Sequence, residues 1–278
     1  MFEEGPHKYY LHGKEITCVS NVTHMFKPHF DTESMAQATY ERNYNNEKSK
    51  YYKMTPEMIK EEWNKISKEA CSHGTERHEF AESIFYFMTN QFDKILPAFK
   101  DRLSVDKETN EPIFIANDPK EEAAVTFYEE LPDSLFPILA ETKVYNENLG
   151  YSGTFDLLMY YDATIDGKDD KNSGLCVMDW KTNKDLYKNF KEEKLLAPFQ
   201  DLLDMPLSIY KLQLSLYQIC LENIGLKTVA RRILWLKPDG TYEKIQFITD
   251  HHFNTESAIW LFFSERNCPD RCHNTAGV

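Results

Sequence analysis

Two neighbouring segments with the composition of β-strands decide the fold: SGTFDLLMYY at residues 152–161 and GLCVMDWKT at residues 174–182. Both are rich in large apolar, aromatic and β-branched residues, which favour strands. The polar stretch between them, DATIDGKDDKNS, contains an Asp-Gly step, and this dipeptide is typical of hairpin turns. The sequence therefore predicts a hairpin that carries Asp156 on its first strand and Asp179 near the end of its second.

Further elements are predicted on both sides of this hairpin. The segment ILAETKVY forms a strand before it, at residues 138–145, and an extended polar loop follows it at residues 183–206. Whether that loop covers a site or only connects two elements is open. A helix then begins near Ser208 and ends at Gly225, a residue typical of helix C-termini. A second hairpin turns at residues 238–240, where Pro-Asp-Gly separates two β-prone runs.

The N-terminal third has a different pattern. YYLHG and ITCVSNVTHMF predict a small β element within the first 30 residues, and a helical pattern follows from about residue 31 to residue 90. Thr55 is placed as the N-cap of a helix that has Pro56 as its first residue. His73, Gly74 and Thr75 predict a break, with Thr75 capping a second helix.

The order of elements predicts a mixed α/β core with an N-terminal helical extension. A short helix at residues 121–130 precedes the strands, and a last helix begins at about residue 255. We expect one domain: a β element and helical extension at residues 1–72, a core at residues 73–265 and a C-terminal tail at residues 266–278.

Composition limits the possible functions. The chain has 278 residues, 41% of them hydrophobic, and a formal net charge of −13, which argues against a protein that coats duplex DNA by neutralising phosphates. No run of about 18 apolar residues and no signal or transit pattern is present, so an intracellular protein with no membrane partner is expected. The six scattered cysteines fit neither a disulfide scaffold nor an iron–sulfur cluster, and no phosphate-binding G-x-x-x-x-G-K-[ST] motif is present, so no ATP is expected.

The predicted hairpin concentrates groups suited to metal chemistry. Asp156 and Asp179 are hard oxygen ligands of the kind that Mg²⁺ or Mn²⁺ prefers. Lys181 follows Asp179 by two residues and therefore shares its face of the strand. A cation beside a metal site can stabilise the negative charge that develops during phosphodiester hydrolysis. The alternative reading of this pattern is an ordinary ion pair on a hairpin.

Helical residues add to this set. His78 and Glu82 are four residues apart on a predicted helix, and Gln213 and Tyr217 have the same spacing on a later one, so each pair shares a helix face. His78 is a candidate metal ligand. The segment EKSKYYKM interleaves cations with aromatic rings, as a path for single-stranded DNA requires; its candidate DNA-binding residues are Lys48, Lys50, Tyr51, Tyr52 and Lys53. A solvated loop is the alternative for that segment.

These motifs together resemble the PD-(D/E)XK nuclease superfamily, and within it the RecB-like branch with Cas4, the mitochondrial genome-maintenance exonucleases and phage-encoded exonucleases. The resemblance covers about residues 7–250 and begins with the N-terminal element YYLHGKEITCVSNVTHMF. The motifs that follow are, in order, Gly74-Thr75, His78, Glu82, Gly153, Asp156, Asp179-x-Lys181 and Gln213-x-x-x-Tyr217. The resemblance implies a restriction-endonuclease-like fold: a mixed β-sheet flanked by helices. The chain lacks the cysteine cluster of the iron–sulfur members.

The resemblance also implies roles. His78, Asp156 and Asp179 would bind Mg²⁺ or Mn²⁺ with the backbone carbonyl of Trp180, and Lys181 would position the attacking water or stabilise the transition state. Glu82 would support the metal site, and Gln213 and Tyr217 would shape the site and contact the DNA backbone. Glu141, on the strand before the hairpin, is a further acid candidate.

The function expected from this set is metal-dependent DNA exonuclease activity on single strands or free ends, in recombination, repair or genome processing. A structure-selective endonuclease of the same fold and a catalytically silent nucleic-acid-binding module are the alternatives. Since the chain has no motor motif, unwinding would come from a partner such as a helicase, with a recombinase or single-strand-binding protein as other possible partners.

Overall fold

The computed structural model describes residues 2–3, 8–190 and 192–247. The predicted last helix and the C-terminal tail lie outside these residues. The strands are β1 (Phe2–Glu3), β2 (Lys8–Leu11), β3 (Lys14–Cys18), β4 (Leu103–Val105), β5 (Pro112–Phe114), β6 (Leu135–Asn146), β7 (Tyr151–Tyr161), β8 (Gly174–Lys181), β9 (Thr228–Leu236) and β10 (Tyr242–Phe247). The α-helices are α1 (Val19–His24), α2 (Thr32–Asn43), α3 (Pro56–Met88), α4 (Pro119–Glu129) and α5 (Pro206–Asn223).

Eight of the strands form one mixed sheet. Its order is β1-β2-β3-β7-β8-β9-β10, and β6 pairs with β7 beside this path. The β3–β7 and β8–β9 pairs are parallel, whereas the other pairs are antiparallel. The predicted α/β class with a mixed sheet is confirmed, as is the hairpin formed by β7 and β8. Strands β4 and β5 form a separate two-stranded sheet.

The central strands carry apolar side chains on both faces of the sheet, and helices cover both faces. On one face, α3 and α4 supply Phe80 and Phe127, which pack in one core with Trp180 of β8. On the other face, α1 and α5 supply Val22 and Leu216 to a second core. None of the helices in the described part of the chain has the length and hydropathy needed to span a membrane.

The predicted break at residues 73–75 is wrong, since α3 runs without interruption from Pro56 to Met88. One glycine costs a helix only about 1 kcal/mol, which a helix of this length tolerates. Thr75 does not cap a new helix; its hydroxyl donates to the Cys71 carbonyl within α3. A Cβ at Gly74 would lie 3.4 Å from Thr182 Oγ1 beyond the end of β8, an ordinary contact, so the packing of α3 there does not require glycine. The N-cap at Thr55 and the proline after it are confirmed.

The β-prone run ITCVSNVTHMF is a second correction. Strand β3 ends at Cys18, and the following residues form helix α1. The Cys18 side chain accepts a hydrogen bond from the Asn21 N–H and so caps the helix. Burial of Val19 and Val22 against α5 and β7 outweighs the strand propensity of these β-branched residues.

Candidate active site

Three adjacent strands bring three acidic residues to one level of the sheet. Glu141 of β6 lies opposite Asp156 of β7, and Asp179 of β8 lies opposite Asp156 on its other side. Glu141 has a φ of 45°, a left-handed conformation that L-residues seldom adopt within a strand. The register is fixed by the flanking pairs Ala140 with Leu157, Thr142 with Phe155, and Leu157 with Met178.

The hairpin opens at Asp156 and Asp179. Backbone pairing between β7 and β8 ends at the pair just before them, and the Trp180 N–H donates instead to Asp156 Oδ2, at 2.7 Å. The Asp156 carboxylate therefore replaces a backbone partner. Since the N–H and C=O of one strand residue point toward the same neighbour, the Trp180 carbonyl also faces β7. The Trp180 ring packs in the core on the other side, edge-to-face with Phe127.

Lys181 extends from the end of β8 into this cluster. Its Nζ forms an ion pair with Asp179 Oδ2, which confirms the prediction that the two side chains share one face. Both side chains are largely buried. The ammonium also lies over the ring of Tyr210, 4.4 Å from its centroid, and Tyr210 is held by a hydrogen bond from its hydroxyl to Asn183 Oδ1. The lysine is thus fixed by a carboxylate and an aromatic face.

Helix α3 adds the imidazole and a fourth acid. His78 Nδ1 lies 3.3 Å from Asp156 Oδ2. Glu82, one helical turn later, accepts a hydrogen bond of 2.6 Å from the Tyr86 hydroxyl. The predicted His78 and Glu82 pair is therefore brought to the same cluster as the strand acids.

Helix α5 covers the opposite side of the site. Gln213 Nε2 donates to the Tyr217 hydroxyl at 3.1 Å, as their spacing of four predicts. Tyr217 packs against β7 at Gly153, where a Cβ would lie only 2.7 Å from the Tyr217 ring. Glycine is thus required at that position for the ring to approach the strand.

The electrostatics show an excess of negative charge. Burial raises the pKa of Asp179 to about 6, with help from the charge of Asp156 and against the opposing effect of Lys181. Burial and the charges of Asp156 and Glu82 also raise the pKa of Glu141, although part of that side chain remains exposed to solvent. The pKa of Glu82 is raised by burial as well.

Asp156 and Lys181 are both ionised at neutral pH. Burial opposes the charged form of Asp156, but His78, Lys181 and the Trp180 N–H outweigh it and lower the pKa of this carboxyl. Burial likewise opposes the charge on Lys181, and Asp179 and Asp156 outweigh it and raise the pKa of the amine. Lys181 is therefore a permanent cation at neutral pH and not a base.

The donor set fits a divalent cation such as Mg²⁺ or Mn²⁺. Among the described residues, no group of three His, Cys, Asp or Glu side chains is already arranged to hold a metal ion. Asp179 contacts Lys181, and Asp156 contacts His78. The acids of the cluster outnumber the cations that contact them, and carboxylates short of positive charge are what a hard cation would neutralise.

The candidate DNA-binding segment lies apart from this cluster, between α2 and α3. Along α3, Pro56 stands roughly 33 Å from His78, at about 1.5 Å per residue. Two lysines of the segment lie over tyrosine rings: Lys50 over Tyr51, and Lys53 over Tyr52 and over Tyr44, which precedes the segment. Its role in DNA binding stays a prediction, and it does not line the site itself.

Sequence reasoning missed Tyr210. It lies three residues before Gln213 and seven before Tyr217, so the helical spacing places all three on one face and could have revealed it.

No protein-family model matches this chain, and no curated protein is significantly similar to it.

Proposed function

We propose that the protein is a metal-dependent DNA exonuclease that hydrolyses phosphodiester bonds, with a restriction-endonuclease-like fold. The observation that supports this most strongly is the set of acids on three adjacent strands, in contact with Lys181 and His78. An ordinary surface ion pair, the alternative for the Asp-x-Lys motif, does not bury both partners or gather further acids around them.

His78, Asp156, Asp179 and the Trp180 carbonyl would hold the cation, and Glu82 and Glu141, whose charges act on Asp156, would support the site. When bound, the cation lowers the pKa of water and neutralises phosphate charge. It would also relieve the repulsion that raises the pKa values of Asp179 and Glu141.

Lys181 contributes a fixed positive charge. Its ammonium stays protonated and would donate a hydrogen bond to the attacking water or to a phosphate oxygen. Negative charge on the phosphate oxygens increases as water adds to phosphorus and the bond to the leaving oxygen breaks, and the ammonium would stabilise that charge. Tyr210 keeps the ammonium in place. Gln213 and Tyr217, joined by a hydrogen bond, form the wall against which a DNA backbone would lie.

The substrate we propose is single-stranded DNA or a free DNA end. The chain has no motif for ATP-driven unwinding, so duplex substrates would need a partner such as a helicase. The cations and rings of residues 48–53 suit the gripping of a single strand at a distance from the site.

A gel assay on labelled single-stranded, duplex and covalently closed circular DNA, with Mn²⁺, with Mg²⁺ and with EDTA, tests the proposal. Loss of linear DNA that needs metal, with circles left intact, supports an exonuclease. Nicked or linearised circles would indicate the endonuclease alternative. Retained binding without cleavage of any substrate would contradict the proposal and favour the silent module.

A further inference from the structure

A cavity of about 550 Å³ lies at the other end of the β7–β8 hairpin, away from the acidic cluster. It is lined by the turn that joins β7 and β8 and by the first half of β9. Cys176 is part of its wall and, three residues before Asp179 on β8, points to the opposite face of the sheet. No acid of the candidate active site lines this cavity, so it is a separate feature.

The cavity is basic, although the whole chain has a net charge of −13. Its only acidic lining residue among the described residues is Asp166, and its cations are Lys168, Lys171, Lys227 and Arg232. A concentration of one sign of charge inside a concave surface attracts ligands of the opposite sign, because low-dielectric walls focus the field.

Two of these cations are positioned by uncharged groups. The Lys227 ammonium donates to the carbonyls of Lys171 and Ser173. Within the described part of the chain, the guanidinium of Arg232 makes one hydrogen bond, from its Nε to Gln246 Oε1 at 3.1 Å. Arginine has five N–H donors, so a planar fork is left for an anion.

The other two lysines are already paired. Lys168 pairs with Asp166 and lies over the ring of Tyr161, 5.4 Å from its centroid, and Lys171 pairs with Asp169. Among the described residues, Lys227 and Arg232 form no ion pair, so their charges are available to an anion.

We propose that this cavity binds a phosphate group carried by a nucleotide-sized ligand. Its volume is within the range of small-molecule sites, and a guanidinium fork with ammonium groups is the usual set for a phosphate. The phosphate belongs either to a free nucleoside monophosphate or to a nucleotide within a DNA strand. The inference does not depend on the nuclease proposal.

Calorimetry on the full chain in EDTA tests the site without any cleavage. The probes are inorganic phosphate, deoxyadenosine monophosphate and a short single-stranded oligonucleotide. We expect the double variant Lys168→Gln, Arg232→Gln to weaken binding of the mononucleotide, the oligonucleotide or both by at least about tenfold. The matched control, Lys100→Gln with Lys107→Gln, likewise removes two positive charges, both from exposed side chains, and should bind as the wild type does.

A second variant covers the case in which the first folds poorly. Arg232→Lys keeps the positive charge but removes the planar fork, so it should fold as the wild type does and bind the phosphate probe more weakly. Mononucleotide binding would identify a nucleotide site, and oligonucleotide binding alone would identify a strand site. Absence of binding by all three probes, or equal binding by wild type and both variants, would overturn the proposal whatever the nuclease assay shows.

Discussion

Glu141 of β6 lies opposite Asp156 of β7, and Glu141 is held at a φ of 45°. A left-handed residue costs of order 1–3 kcal/mol and persists only where the surroundings impose it. Here the distorted residue is the one whose carboxylate joins Asp156 and Asp179 in a single cluster. Strain at this residue is consistent with a role in a functional site rather than in packing.

This strain has a measurable consequence. Glu141→Gly should unfold at higher urea concentration than Glu141→Ala, by about 1 kcal/mol in unfolding free energy, since only glycine adopts positive φ without a Cβ penalty. Both variants lack the carboxylate, so the comparison isolates the backbone. Lys143 is an exposed residue of the same strand without a positive φ, so there Lys143→Ala should be more stable than Lys143→Gly. The same order of stability at both positions would show that the backbone at Glu141 is not strained.

Asp179 should destabilise the metal-free protein at neutral pH. Its pKa is raised from 3.8 to about 6, so the folded state holds its proton more tightly than the unfolded state does, and stability is lost as pH rises from about 4 through 6. Asp179→Asn removes this loss of stability. In EDTA, the unfolding free energy of the variant should equal that of the wild type near pH 4 and exceed it by about 1–3 kcal/mol at pH 7. Thermal unfolding across this pH range measures the difference; a constant difference at all pH values would contradict the assignment.

Two glycines should respond oppositely to alanine. Gly153→Ala would press a methyl group against Tyr217 and Val19, and should cost about 1–3 kcal/mol in unfolding free energy. Gly74→Ala lies within α3 with its nearest atom at 3.4 Å, and should be neutral or stabilising by up to about 1 kcal/mol. Chemical denaturation of the two variants checks both signs. A stable Gly153→Ala protein would show that Tyr217 does not need its close approach to β7.

The segment at residues 48–53 should contribute to single-strand affinity through charge. Changing Lys48, Lys50 and Lys53 together to glutamine should weaken oligonucleotide binding and reduce the salt dependence of the affinity, by about 0.7 in log–log slope for each phosphate that the variant no longer neutralises. The control alters three exposed lysines elsewhere: Lys100, Lys107 and Lys194. An unchanged slope in the first variant would remove this segment from the proposed DNA path.

Local sequence patterns predicted several contacts at the centre of the candidate site. The turn composition between β7 and β8 indicated which strands pair, and the spacing of two between Asp179 and Lys181 placed both on one face. The spacing of four did the same for Gln213 and Tyr217. Such relations depend on backbone periodicity, which sequence reveals directly.

Features that depend on tertiary packing were harder to predict. The β-branched residues of α1 suggested a strand because their burial against α5 is not visible in a local pattern. Gly74 suggested a break because the packing of the long helix α3, which outweighs the cost of one glycine, is not visible in a local pattern. The left-handed Glu141 carries no local signal, since neither glycine nor asparagine stands there.

The rate of degradation of end-labelled single-stranded DNA by the wild type and by Lys181→Ala, each with Mn²⁺ and with EDTA, tests the proposed nuclease activity most directly. We expect cleavage by the wild type only with Mn²⁺, and a rate about 10²–10³ lower for Lys181→Ala, whose circular dichroism should remain that of the folded protein. Cleavage in EDTA, or full activity in Lys181→Ala, would contradict a metal-dependent nuclease that uses Lys181.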